Sequence, residues 1–397
     1  MPAWIFVSIA LLALLSGKRA HALDWNRGEG FRYRDLKVPE NGRPGFTNLS
    51  TNLTRINFVN RLSKERYTTN QIYLNGSGVA AGDYDGDGLC DLFFCGLDSE
   101  NKLYRNLGGF KFEDVSEKAR VRGRNIASTG ATFADVNGNG RLDLLINSVG
   151  QGTWVLLNAG DGTFRATRPI NLHKGGMSMA LADSDLDLFI GGIANHGDSF
   201  SEVSSYLLLN VNGQFEVSSS SGIFKNIGST TGVVFSDVDN DLDSDLLLSR
   251  RWSSLLLFIN EGGKFSDRST EWGMAGLNGL WNGVVTGDFN ADGKMDFVMS
   301  NMGRNSKYTR YLVDEVWLHV ADYNGDGIAE GGESVVDPYL VKRVPMRDLD
   351  TLAKVMPWIH DMYPTYRAFG QAAIESLLAP LEAPPRLLKL NILDTSL

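Results

Sequence analysis

Four carboxylates fall within nine residues of GVAAGDYDGDGLCDLFFCG, at Asp83, Asp85, Asp87 and Asp91. Two like charges about 4 Å apart, at an effective dielectric of about 20, repel by on the order of 4 kcal/mol. A hard divalent cation removes that penalty. Side-chain oxygens at positions 1, 3, 5 and 9, with the backbone carbonyl of Leu89 at position 7, make an oxygen cage of the kind Ca2+ takes. Gly88 at position 6 permits the sharp turn that aims the ligands inward. With no Cys and few His at such positions, zinc and copper fit poorly.

The pattern recurs along the chain. A second loop holds Asp135, Asn137, Asn139, Arg141 (by its carbonyl) and Asp143. A fourth holds Asp237, Asp239, Asp241, Asp243 (by its carbonyl) and Asp245, and a fifth holds Asp288, Asn290, Asp292, Lys294 (by its carbonyl) and Asp296. A sixth holds Asp322, Asn324, Asp326, Ile328 (by its carbonyl) and Glu330. A clipped third copy, ALADSDLDLFIGG, keeps Asp183, Asp185 and Asp187; aligned on the strand that follows, Asp187 takes the place of Asp91. With only three residues between Asp183 and Asp187, that copy is expected to form a tight turn with no Ca2+ or a weakly held one. The first acidic positions, 83, 135, 183, 237, 288 and 322, lie 52, 48, 54, 51 and 34 residues apart. An Asp/Gly-rich turn that binds nothing explains one loop; it explains poorly a series in register with a repeat.

The elements around the loops repeat as well. NKLYRNLGGFKFEDV, WVLLNAGDGTFRAT, YLLLNVNGQFEVS and LLLFINEGGKFSDRS each give an apolar run, an Asn, a Gly-bearing turn, a Phe and a second short run. That is a hairpin signature. One unit reads strand, acidic loop, strand, strand, turn, strand, and four short strands in about 50 residues is the size of one propeller blade. Period-2 runs, and almost no helical patterning before residue 345, exclude a helical solenoid. The sixth loop also fits an EF-hand through Glu333 at position 12, but VDEVWLHVA reads as a strand and GGESVVDP starts no helix, so the blade reading is preferred.

These repeats resemble FG-GAP/VCBS repeats, the blades of integrin-α-type β-propellers. NQIYLNGSGVAAGDYDGDGLCDLFFCG resembles the start of bacterial exported VCBS proteins related to the ASPIC/UnbV and cartilage-acidic-protein group. The resemblance spans roughly residues 70–340. It implies an all-β fold: a propeller, usually of seven blades, loaded with several structural calcium ions and serving adhesion or binding, with no established catalytic activity. With five blade-like units and a partial sixth, a complete seven-bladed ring is expected to need sequence beyond residue 397.

Composition agrees with a folded, non-nucleic-acid-binding chain. A hydrophobic content of 43% supports a core, and a net charge of -9 disfavours a nucleic-acid partner. Residues 1–22 read as a signal peptide: Ile5–Leu15 is too short to span a bilayer, and Ala20-His21-Ala22 offers a cleavage site. Export is expected, to a secreted, periplasmic or cell-surface location, with no transmembrane segment in the mature chain. Residues 23–77 are expected to add propeller strands, 78–344 to form the blades, 345–379 a helical hairpin, and 380–397 a tail without a clear fold. Cys90 and Cys95 lie at odd spacing in one strand, which favours two buried free thiols over a disulfide. Catalytic signals are thin: HGDSFS around Ser199 only faintly matches an esterase motif and lacks its α/β setting. The function expected is binding, of carbohydrate, cell surface or protein; the alternative is a polysaccharide-active hydrolase or lyase using one propeller face.

Overall fold

A computed structural model describes residues 46–396 apart from 70, 173–175, 183–184, 193–202, 291, 305 and 312–314, together with 26–27 and 32–33. The signal segment 1–22, Asp183, His173, His196 and Ser199 therefore lie outside the described residues. The chain divides into two units. One comprises residues 1–47 and Gly287–Asp296; in it, β1 (Asn26–Arg27) and β2 (Arg32–Tyr33) pair with each other. The other comprises Asn48–Thr286 and Phe297–Leu397 and carries the repeats apart from the fifth acidic loop, which is assigned to the first.

Three units each form a four-stranded antiparallel sheet, and a fourth forms four antiparallel strands within a six-stranded sheet. Blade 1 is β3 (Val79–Gly82), β4 (Asp91–Phe94), β5 (Lys102–Asn106) and β6 (Phe112–Asp114). Blade 2 is β7 (Ala127–Ala134), β8 (Asp143–Val149), β9 (Gly152–Asn158) and β10 (Phe164–Ala166). Blade 3 is β11 (Gly176–Ala182), β12 (Asp187–Gly192), β13 (Tyr206–Val211) and β14 (Gln214–Val217). Blade 4 is β15 (Thr230–Ser236), β16 (Asp245–Ser253), β17 (Leu256–Glu261) and β18 (Lys264–Asp267). All four hairpins read from the Asn-turn-Phe pattern are present.

The second strands explain why their sequences are nearly continuous apolar runs. Their residues alternate between two covered faces. Leu144 and Ile146 of β8 pack into a cluster with Phe93 and Leu103 of blade 1, whereas Leu145 packs with Leu188 and Leu208 of blade 3. In β16, Leu246 and Leu248 meet Phe189 of blade 3, whereas Leu247 meets Trp281 and Met299 further on. Each blade-to-blade interface thus has its own apolar core, and burying both faces of a central strand is what a radial repeat demands.

First strands lie innermost. Gly78, Gly130, Ser178, Gly232 and Gly283, from five successive units, line one cavity of about 280 Å³. Side chains are excluded there by contact: a Cβ on Gly78 would come within 2.9 Å of the Gly130 Cα, and one on Gly232 within 2.7 Å of the Gly283 Cα. The repeat unit is therefore a β-propeller built of FG-GAP-type blades.

The last two units depart from the pattern. β19 (Gly279–Gly287) and β20 (Asp296–Asn301) form a fifth blade without its own outer hairpin, and β19 also pairs the end of β16. The sixth sheet runs β23 (Lys342–Pro345), β22 (Glu330–Asp337), β21 (Val316–Ala321) and β24 (Arg386–Leu390). The tail is thus structured: β24 adds to β21, Ile392 bridges Gly279, and Ser396 bridges Met299.

Propeller strands are expected within 23–77; the described residues of 46–77 instead form α1 (Thr51–Thr54), α2 (Lys64–Thr69) and a 3-10 turn at Gln71–Asn75, with no strand among them. The expected helical hairpin is instead four short helices: α3 (Leu349–Ala353), α4 (Ile359–Met362), α5 (Tyr366–Phe369) and α6 (Ile374–Leu378). Pro357 and Pro364 supply the first two of the three breaks, because the residue before a proline is pushed out of helical geometry. Leu349, Leu352, Met356, Ile359, Phe369 and Leu377 form one buried cluster with Val355 packed against it, whereas Tyr366, at helical spacing with them, is exposed. Both cysteines are free as expected, but only Cys95 is buried; Cys90 is exposed.

Candidate metal loops

Each acidic loop joins the first strand of a unit to the second, and the register holds them alike. The residue before position 1 pairs with position 9: Gly82 with Asp91, Ala134 with Asp143, Ser236 with Asp245, and Ala321 with Glu330. In the clipped copy Ala182 pairs with Asp187, so Asp187 does occupy the place of Asp91.

Position 1 nucleates the turn. In all five full loops one oxygen of its carboxylate accepts the N–H of position 5 and the other that of position 6. Asp83 takes Asp87 and Gly88; Asp135 takes Asn139 and Gly140; Asp237 takes Asp241 and Leu242. Asp288 takes Asp292 and Gly293, and Asp322 takes Asp326 and Gly327. Position 5 in turn accepts the N–H of position 7, from Leu89, Arg141, Asp243, Lys294 and Ile328. Position 6 takes positive φ throughout, +84° at Gly88, +81° at Gly140, +83° at Gly293 and +83° at Gly327; in loop 4 the same place is held by Leu242 at +77°, where a side chain makes the conformation strained.

Position 9 is a brace. Asp91 is fully buried; its Oδ2 accepts the Tyr84 N–H at 3.0 Å and its Oδ1 the Asn106 N–H at 2.7 Å. Asp143 does the same with Val136 and Asn158, and Asp245 with Val238 and Asn260. Asp296 and Glu330 keep the first of these bonds, to Phe289 and Tyr323. Burial pushes the Asp91 carboxyl up to about 6, against the lowering effect of its two N–H donors, and pushes Asp143, Asp245 and Glu330 upward as well. Asp322 is held down instead by the N–H of Gly327.

The carboxylates converge in two loops. One oxygen each from Asp83, Asp85 and Asp91, and one each from Asp237, Asp239 and Asp245, lie within 4.8 Å of one another. In loops 2, 5 and 6 position 3 is Asn, and in loop 2 the Asn137 amide donates to Asp143 at 2.9 Å. Loop 1 already draws a cation from its own blade: Arg105 sits 2.5 Å from Asp85 and 2.9 Å from Asp87. The matching place in blade 4 is Ile259, so loop 4 has no such partner.

One recurrent residue had been read only as part of a turn. Asn106 and Asn158 end their third strands, and Asn210 and Asn260 stand one residue before the end of theirs. Each accepts a turn-glycine N–H with its side-chain oxygen. Each also donates from its amide to its own acidic loop, at Cys90, Leu142, Asp185 and Ser244. Asn158 and Asn210 reach further, to the carbonyls of Tyr84 and Val136 in the preceding blade. These side chains fasten one acidic loop to the next. Their signal was the fixed place of Asn before each turn.

The sixth loop is flanked by strands β21 and β22, which removes the EF-hand reading. Glu333 points away from it, to Lys307, Arg347 and Tyr308. His319 and Ser334 form a hydrogen-bonded pair at 2.8 Å, but both are buried, and burial followed by Arg343 pushes His319 down to about 4. A closed pair of that kind offers a substrate no approach.

The repeat, the blade topology and the braced acidic loop together define a β-propeller assembled from FG-GAP repeats. A family model described as an FG-GAP-like repeat matches residues 83–146, 135–189 and 237–299, so the chain carries FG-GAP-like repeats. Over 268 residues it is 26% identical to Cartilage acidic protein 1 of Xenopus tropicalis, a match covering 59% of this chain and 41% of that protein. No helix among the described residues is long and apolar enough to cross a membrane.

Proposed function

We propose that this chain is an exported, calcium-stabilised propeller that works as a binding scaffold for a carbohydrate, cell-surface or protein ligand. The observation that carries the metal assignment is the convergence of three carboxylate oxygens in loops 1 and 4, in a chain where positions 1 and 9 are already fixed by backbone donors. Hard oxygen donors in a preformed cage suit Ca2+. Asp83, Asp85, Asp87 and Asp91, and their counterparts in the other full loops, would hold the ion, with the position-7 carbonyl completing the set. The ion would neutralise the crowded charge and tie the first two strands of each blade.

Binding is favoured over catalysis because the recurring acidic groups are committed to turns and braces, and the buried His319–Ser334 pair faces no solvent. Export rests on the apolar N-terminal run and on the likeness to the repeat proteins named above. The test is a glycan and cell-surface array probed with the mature chain, with and without chelator. Saturable, calcium-dependent capture supports the reading; no capture by any surface in either condition contradicts it.

A further inference from the structure

A cavity of about 680 Å³ opens between blades 4, 5 and 6 and the 3-10 turn at Gln71–Asn75. Its charge is opposite to that of the molecule. Arg250, Arg251, Lys307, Arg347 and Arg386 line it against one carboxylate, Glu333: five positive charges and one negative, formally +4, in a chain of net charge -9. Glu333 is saturated by Lys307 at 2.6 Å and Arg347 at 2.8 Å. Arg250 is spent on backbone, bonding the carbonyls of Ile227 and Ser254.

Arg251 is different. Its hydrogen-bond partner is the amide oxygen of Asn75 at 2.6 Å, and among the described residues it has no carboxylate. A guanidinium drawn partly out of water without an anion is costly to keep. Beside it Trp252 adopts φ +53°, a strained backbone for a large side chain. Trp252 packs edge-on against Tyr308. The Ser306 hydroxyl, also in the wall, is buried without a partner.

We infer that this cavity binds a small ring-bearing organic oxyanion, its carboxylate or sulfate on Arg251 and its ring against Trp252. The volume falls in the range that encloses a small ligand, roughly 300–1,000 Å³. Arg presents a planar fork matched to both oxyanions, so the two sources share one recognition chemistry. This inference rests on the binding-scaffold reading and narrows its ligand.

Calorimetry on the intact mature chain in calcium, at low ionic strength, tests it with four probes: digalacturonate, a monosulfated disaccharide, neutral lactose and inorganic sulfate. One of the two acidic sugars is expected to bind at least about tenfold more tightly than lactose. Stronger binding of the first assigns a carboxylate, of the second a sulfate. Arg251→Met is expected to lose about tenfold or more in affinity with an unchanged or raised melting temperature, since an uncompensated cation is removed. If that variant does not fold, Lys307→Met at the exposed rim is expected to weaken binding several-fold, and Arg304→Met outside the cavity to leave it unchanged. Equal binding of acidic and neutral sugars, no heat with any probe up to about 10 mM, or full affinity in Arg251→Met or Lys307→Met overturns the assignment. Array capture that survives Arg251→Met would overturn the pocket while leaving the scaffold reading intact; probe binding without any array capture would do the reverse.

Discussion

In blade 1 eight residues separate the register pair Gly82 and Asp91; in blade 3 four separate Ala182 and Asp187. Both loops end on the same brace. Asp91 accepts the N–H of Asn106, and Asp187 that of Asn210, at 2.7 and 2.8 Å. In both, the Asn side chain returns to the loop. Blade 3 has four residues fewer there, too few for a position 1 to 9 series with carboxylates at positions 3 and 5. The carboxylate that closes the loop is therefore a blade element in its own right, and the part that gathers the further carboxylates is an insertion that a blade can do without.

The largest effect should come from breaking the brace. Asp91→Ala leaves the N–H groups of Tyr84 and Asn106 without acceptors, one of them buried, at a cost on the order of 2–4 kcal/mol. Urea unfolding should show an earlier midpoint. Asp187→Ala should destabilise in the same direction, but only Asp91→Ala should also lower the calcium content of the chain. Equal calcium content in the two variants would erase the distinction between brace and ligand.

Removing the metal should act next. With excess chelator the melting temperature is expected to fall by several degrees and to recover when Ca2+ is restored, because an ion bound only by the folded chain stabilises it. Loop 2, with only Asp135 and Asp143 as acids, should release its ion before loops 1 and 4. A melting curve indifferent to chelator would end the structural role.

Arg105 sharpens the comparison of loops that share a full ligand set. Its guanidinium competes with a cation for Asp85 and Asp87, whereas blade 4 has Ile259 at that place. Arg105→Met should raise the calcium affinity of loop 1 several-fold and leave loop 4 as it was. A calcium titration that does not change on this substitution would show that the side chain yields to the ion without competing.

A last effect, outside the acidic loops, sets the background on which pH comparisons of the loops are read. His319 is pushed down to about 4 by burial, against about 6.5 in the unfolded chain. The unfolded state then binds more protons in that window, so the contribution is fully present above pH 6.5 and is lost as pH falls toward 4. Between pH 7.5 and 5 the loss should be about 1–2 kcal/mol, and His319→Gln should flatten that part of the curve. An unchanged slope in the variant would place the titration elsewhere.

Much of this was legible because it is local. The loops, the Asn-turn-Phe hairpins and the alignment of Asp187 on Asp91 follow from spacing within some 50 residues. The role of Asn158 was not, because its partner, the Tyr84 carbonyl, lies a full blade earlier. β24 escaped for the same reason: RLLKL gains strand geometry only by pairing with β21. The split between α3 and α4 was a missed local signal, since Pro357 stands in the sequence. Whether position 9 is ligand or brace could not be read from residue type, as both roles want a buried carboxylate.

The most direct measurement is anomalous diffraction from crystals grown in calcium, read loop by loop. The account predicts coordinated ions at Asp83–Asp91 and Asp237–Asp245 and none at residues 183–187. A fully coordinated calcium in the clipped loop, or none in the two converged loops, would contradict it.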